Sequence, residues 1–168
     1  MKLNRLYRNM MLAAAFVCLG ACDPWRDDLE LNKADLDKDL YEIVMENPGI
    51  SIFVRVLQAT GYDRFLKEEQ ALTVFAPQDA ALQQLSLSDT AALKLWVQNY
   101  IAYLSYYTGA DGNFNRSGGV VDGIEMINRK TIPAGVASLS GSKLITANRT
   151  CKNGVLHIID NTVADRKN

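Results

Sequence analysis

The sequence predicts an α+β domain, and three observations carry that prediction. Apolar residues at helical spacing crowd the first half, as in Ile50, Phe53, Val54 and Leu57. Short β-rich runs separated by turn residues fill the second half. Segregated helices and strands of this kind, in a chain of one-domain length, describe an α+β arrangement rather than alternating βαβ units.

The first residues stand apart from that domain. A basic start (Lys2, Arg5, Arg8) precedes an apolar run from Met10 to Cys18, and the run ends in Leu19-Gly20-Ala21-Cys22. A charged beginning, a short apolar stretch and small residues before a cleavage point describe a secretory signal over residues 1–21. The run is too short to stay in a bilayer as a spanning helix, which takes about 20 residues. Leu19-Gly20-Ala21-Cys22 resembles the bacterial lipobox, in which the cysteine thiol takes a diacylglycerol and the chain is cut just before it. Cys22 is therefore the expected lipid attachment site, and acyl chains at about 0.8 kcal/mol per buried CH₂ give a firm membrane anchor.

Cleavage there leaves 147 of the 168 residues and removes three bases, taking the net charge from −1 to −4. That balance argues against nucleic acid or an anionic membrane as a charge-driven partner. Cys18 leaves with the signal and Cys22 is acylated, so Cys151 has no partner for an intrachain disulfide.

Residues 22–36 read as an acidic tether, with Asp23, Asp27 and Asp28 close behind the lipid. Acids in that position resemble the surface-export signal of Bacteroidetes lipoproteins, and a solvated linker is the competing reading. From Asp37 the chain reads as globular. Asp35, Asp37 and Asp39 are the acids of a helix start. Leu40, Ile43 and Val44 form a short helix face stopped by Asn47-Pro48-Gly49, and the helix through Leu57 ends at Gly61. Tyr62, Phe65 and Leu66 add one turn. Leu72 to Ala76 is a strand stopped by Pro77, and a short helix over Ala80 to Leu85 follows Asp79.

Ser88 or Asp89 caps a longer helix carrying Leu93, Trp96, Val97, Tyr100 and Ile101 on one face. Strands are expected over Tyr103–Tyr107, Val120-Val121, Glu125–Ile127, Thr131-Ile132, Val136–Leu139, Lys143–Thr146 and Val155–Ile159. Asn153-Gly154 reads as a hairpin-turn dipeptide before the last of these.

Two segments carry a family resemblance. Leu72-Thr73-Val74-Phe75-Ala76-Pro77-Gln78-Asp79-Ala80-Ala81-Leu82 is similar to the first signature of fasciclin-like domains. Asn153-Gly154-Val155-Leu156-His157-Ile158-Ile159-Asp160-Asn161-Thr162-Val163 is similar to the second. The resemblance spans residues 37–165 and leaves 166–168 as a tail. It implies a β-wedge or sandwich of about seven strands with helices packed to one side, and a role in adhesion or surface recognition without catalysis.

The matched residues Thr73, Val74, Phe75, Ala76, Pro77, Asp79, Asn153, Gly154, His157 and Asp160 are read as mainly structural. Alternation puts Val74 and Ala76 on one face and Phe75 on the other, while Asp79 is placed to cap the next helix. The family's Tyr-His pair, near which adhesive animal members contact integrin, has no histidine counterpart in Ile101–Tyr107. The relatives' Asp-Ile pair falls on Asn148 and Arg149.

Other chemistry is thin. His157 is the sole histidine, and pairing it with Cys151 as base and nucleophile requires the two to face each other in the open. Asp111-Gly112-Asn113-Phe114-Asn115 with Asp122 echoes a calcium loop, but Arg116 stands where the sharp-turn glycine belongs, so a solvated loop is the better account. Asp89-Thr90-Ala91 resembles a Bacteroidetes O-glycosylation motif, and a helix cap explains it equally. Tyr103, Tyr106 and Tyr107 offer an aromatic surface on which sugars could stack. The chain is expected to need no cofactor or metal. The expected function is a lipid-anchored envelope module that binds a glycan, a matrix polymer or an envelope protein. The alternative is an accessory subunit of an outer-membrane glycan-uptake complex without a ligand of its own.

Overall fold

The computed structural model describes residues 33–163. The signal segment, Cys22, the start of the expected tether and the tail at 166–168 lie outside the described residues. None of the described helices is long and apolar enough to cross a membrane.

Six helices are described: α1 (Lys33–Leu36), α2 (Leu40–Met45), α3 (Ser51–Thr60), α4 (Tyr62–Glu68), α5 (Asp79–Leu82) and α6 (Thr90–Val97). α1 falls inside the stretch expected to be tether. Asp35 on it is buried, and its carboxylate takes two bonds from the Arg149 guanidinium, Nε at 3.1 Å and Nη2 at 3.3 Å. Packing therefore begins before Asp37, because a charge pair 114 residues apart holds this turn down.

α2 starts with a capping box. Asp39 Oδ1 accepts from the Glu42 N–H, and Glu42 Oε2 accepts from the Asp39 N–H, both at 2.8 Å. Asn47 then caps a 3-10 turn over Pro48–Ile50. α3 buries Phe53, Val54, Val56 and Leu57 and ends at Gly61, whose φ of +77° is the left-handed geometry of a helix stop. Phe53 meets the rings of Trp96 and Tyr100 edge-on at 6.3 and 6.0 Å, so the aromatic face expected on α6 packs on the core. α6 nevertheless stops at Val97; Tyr100 closes a 3-10 turn over Gln98–Tyr100, and Ile101 opens a strand rather than extending the helix. α6 is capped by Asp89, which accepts from the Ala92 N–H at 3.0 Å; Ser88 takes no part in that cap.

Ten strands follow the same order: β1 (Leu72–Pro77), β2 (Ile101–Tyr103), β3 (Tyr107–Thr108), β4 (Phe114–Arg116), β5 (Gly119–Val120), β6 (Gly123–Glu125), β7 (Thr131–Gly135), β8 (Ser138–Leu139), β9 (Ser142–Cys151) and β10 (Gly154–Ile159). Seven of them form one sheet in the order β2-β1-β10-β9-β8-β7-β6, and β3-β4-β5 form a second. The expected seven-stranded body is thus present, with a three-stranded sheet beside it. A bridge between Ala102 and Met126, with the Ile127 N–H bonded to Ile101 O at 2.9 Å, joins the first and last strands of the larger sheet.

β1 and β10, second and third in the order of the larger sheet, run parallel from Leu72 opposite Gly154 to Pro77 opposite Ile159. All six residues of each are buried. Alternation therefore sorts these side chains between two covered faces rather than between core and water. Pro77 is the last residue of β1. β2 pairs only as far as Val74, so the missing N–H of Pro77 removes no ladder bond.

Two local expectations are corrected. The β9–β10 turn is Lys152-Asn153, because Gly154 already pairs with Cys151, and neither turn residue has a positive φ. β9 also runs well past Thr146. Its register slips twice against β10, with Asn148 at φ +58° in the first bulge.

Candidate functional site

Most signature residues are buried, and each polar one among them has a bonding task. Thr73 Oγ1 donates to Leu104 O at 2.8 Å and accepts from the Tyr106 N–H at 2.9 Å, fixing the turn after β2. His157, fully buried, meets the same turn through Nε2, 3.0 Å from Tyr106 O. A carbonyl only accepts, so the proton sits on Nε2 and Nδ1 takes the Asn148 N–H at 3.4 Å. Its ring stacks on Phe75 at 5.1 Å and meets Phe114 edge-on at 5.5 Å. Burial disfavours the imidazolium and brings the pKa down to about 4.

Asn153 is a buried hub. Its Oδ1 accepts from the Leu40 N–H at 2.7 Å, and its Nδ2 donates to Leu66 O and Glu69 O, each at 2.8 Å. Gly154 follows because there is no room beside it. A Cβ there would run into Leu72 O and lie 3.0 Å from Leu40 Cδ2. Asp160 Oδ1 accepts from the Lys143 N–H at 2.8 Å, tying the end of β10 to β9. Val74, Phe75, Ala76 and Pro77 fill the covered faces of β1.

Asp79 caps a helix, but not the one that follows it. Its carboxylate accepts from Ser51 N–H (3.0 Å), Ser51 Oγ (2.7 Å) and Ile52 N–H (2.7 Å), which closes the start of α3. α5 begins at Asp79 with no side-chain cap.

Cys151 does not face His157. It sits opposite Gly154, buried, with Sγ 3.2 Å from Gly154 O, and burial pushes its thiol pKa up. A nucleophile needs the reverse on both counts. In the 111–122 loop, both Asp111 oxygens are taken by Asn113, its N–H at 3.0 Å and its Nδ2 at 2.7 Å, while Phe114 points into the core. No cluster of three or more His, Cys, Asp or Glu side chains suited to a metal occurs among the described residues. Asn148 grips Thr108 through both ends of its amide at 2.8 Å, and Arg149 pairs with Asp35, so both positions that replace the relatives' Asp-Ile pair are engaged internally.

The three tyrosines separate. Tyr106 is 2 % exposed and belongs to the core. Tyr107 is partly exposed on β3, in the smaller sheet. Tyr103, 46 % exposed at the end of β2, lines an open groove of about 320 Å³ between α4, α6 and the sheet. Phe65 stands edge-on to it at 6.2 Å and Ile127 lines the groove as well. Lys94 and the hydrogen-bonded pair of Gln98 Nε2 and Tyr62 Oη, 2.7 Å apart, complete the polar part. The sequence singled out Tyr103 alone of these. The others come from three separate segments that only folding brings together.

A covered parallel strand pair and polar signature residues committed to internal bonds define a small α+β domain with an open aromatic groove among its described residues. The chain belongs to the fasciclin domain family, whose model matches residues 48–164. Among solved structures, a domain pair from the insect cell adhesion molecule fasciclin I is similar in fold, with a TM-score of 0.59 at 16% identity. The match covers 79% of this chain and 52% of that one, so the chain spans about half of that structure's length. No curated protein matches the chain.

Proposed function

We propose that this chain is a lipoprotein of the bacterial cell envelope, anchored through Cys22, whose fasciclin domain binds a glycan, a matrix polymer or a neighbouring envelope protein. The observation that supports binding most directly is the groove at Tyr103, where an exposed ring, the exposed Lys94 and the Gln98–Tyr62 pair meet in a domain whose signature residues are occupied internally. The segment Leu19–Cys22 supports the anchor, and the acids behind it suit display at the outer-membrane surface of a Bacteroidetes-type cell. Labelling with radioactive palmitate tests the anchor. The wild-type chain should take up label and sediment with membranes, and Cys22→Ser should do neither; a labelled Cys22→Ser protein would remove the assignment. Glycan arrays and pull-downs with the chain carrying Cys22→Ser in place of the lipid test binding, and the absence of any glycan or protein partner would remove that part.

A second reading, an accessory subunit of an outer-membrane glycan-uptake complex, draws on Val120, Val136 and Ile145, apolar residues each more than half exposed. Co-purification from membranes separates the two, because a subunit should leave detergent extracts with stoichiometric partners.

A further inference from the structure

We infer that the groove at Tyr103 is a binding site for an acidic sugar, a pyranose carrying a carboxylate such as a hexuronic acid within a glycan chain. This rests on the glycan arm of the functional reading above and narrows it to one place and one chemical class.

The groove's size is the first reason. At about 320 Å³ it lies at the small end of ligand sites, which run from roughly 300 to 1,000 Å³, and suits one or two sugar rings better than a protein surface. The ring geometry is the second. Tyr103 is 46 % exposed, yet it is not a loose surface side chain. Phe65 packs edge-on against it at 6.2 Å, and Phe65 is itself held edge-on by Tyr62 at 5.5 Å. A ring held in one orientation with much of its surface open gives the C–H face of a pyranose a platform at little entropic cost.

The polar groups are the third reason. Gln98 Nε2 donates to Tyr62 Oη at 2.7 Å, which commits the amide nitrogen as donor and the phenol oxygen as acceptor. The phenol proton and Gln98 Oε1 are then the spare donor and acceptor of that pair, and a sugar hydroxyl can serve both. The charge is the fourth. Lys94 lines the groove from α6, is exposed, and has no carboxylate within ion-pairing distance among the described residues. No residue lining the groove is acidic. The groove therefore offers one unpaired ammonium in a protein whose net charge is −1, and the ligand that complements it carries a carboxylate. Lys94, unlike Asn153 or His157, has no bonding task among the described residues.

The test uses the chain with Cys22→Ser, titrated by calorimetry with oligogalacturonate and oligoglucuronate and with neutral galactose and glucose oligomers of equal length. Acidic oligomers should bind at least tenfold more tightly than neutral ones, and that advantage should shrink as salt rises. Lys94→Gln should abolish the preference for the acidic series while weak neutral binding survives. Tyr103→Ala should remove binding of both series. It also gives up the edge-on contact with Phe65, so a small drop in its unfolding midpoint is expected, while that of Lys94→Gln should stay unchanged because Lys94 is exposed. Equal binding of neutral and acidic oligomers, indifferent to Lys94→Gln, would overturn the acidic assignment and leave the glycan-binding reading standing. Acidic binding that survives Tyr103→Ala would move the site elsewhere. Failure of every oligomer to bind would overturn this inference, and a protein captured in parallel pull-downs would then show that the broader binding role survives without a glycan.

Discussion

The side-chain oxygen of Asn153 accepts the backbone N–H of Leu40 at 2.7 Å, joining the first residue of α2 to the β9–β10 turn across 113 residues. The same amide donates to Leu66 O and Glu69 O at the end of α4. One side chain thus fastens three separate backbone segments.

Replacing Asn153 strands the Leu40 N–H and the Leu66 carbonyl in a buried setting. Each orphaned group costs about 1–3 kcal/mol. Asn153→Ala should lower the unfolding free energy by about 3 kcal/mol in urea titrations. Asn153→Asp should be no better, because its carboxylate faces two carbonyl oxygens; near wild-type stability in that variant would show that the two donor bonds carry no weight.

Asp79 closes the start of α3 from 28 residues away, whereas Ile50, at the N-cap position of that helix, supplies no side-chain bond. Asp79→Ala should cost about 1–2 kcal/mol, the usual range for a lost cap. Asp89→Ala, which removes a single bond at α6, should cost less. The reverse order would mean that Asp79 is not the effective cap.

Gly154→Ala brings a methyl group against Leu72 O and Leu40 Cδ2 at the start of the parallel pair. A loss of at least about 2 kcal/mol is expected, since the obstacle includes backbone that cannot rotate away. Gly118→Ala is the control: nothing lies within 4 Å of the added carbon, and only the φ of +83° is strained, at about 1 kcal/mol. Equal midpoints for the two variants would argue against the close approach.

His157 makes stability depend on pH in one direction. Its pKa falls from 6.5 in the open chain to about 4 when folded, so as pH drops the unfolded chain takes up the proton first. The contribution is complete above pH 6.5, declines as pH falls to about 4, and then levels off. Over that window the loss approaches about 3 kcal/mol. His157→Gln keeps a donor for Tyr106 O and has no titration, so its stability should fall less between pH 7 and 4. Identical slopes for the two proteins would refute the burial effect.

Much of this was legible in the chain. The spacing of Ile50, Phe53, Val54 and Leu57, the stop at Gly61 and the apolar runs at 72–77 and 155–159 report local geometry, which periodicity reads directly. What escaped depends on distance along the chain. Asp79 looks like the cap of the next helix because its partner Ser51 lies far upstream. Asn153-Gly154 looks like a turn dipeptide, but the glycine answers to the proximity of Leu72 and Leu40. β9 beyond Thr146 is polar and bulged, and so shows no alternation. The groove needed Phe65, Lys94 with Gln98, and Tyr103 from three stretches of chain, of which only the tyrosine advertised itself.

The bridge from Ala102 to Met126 bears on how the chain behaves at high local concentration. Strands at the margins of an open sheet are templates on which other chains can polymerise. Here the outermost strands β2 and β6 are brought together by that bridge, and Ile127 N–H is spent on Ile101 O. A lipid anchor would concentrate copies of the protein in two dimensions, where an open margin would invite fibre growth. By knotting its two margins together, the larger sheet would deny such copies a template along its edges.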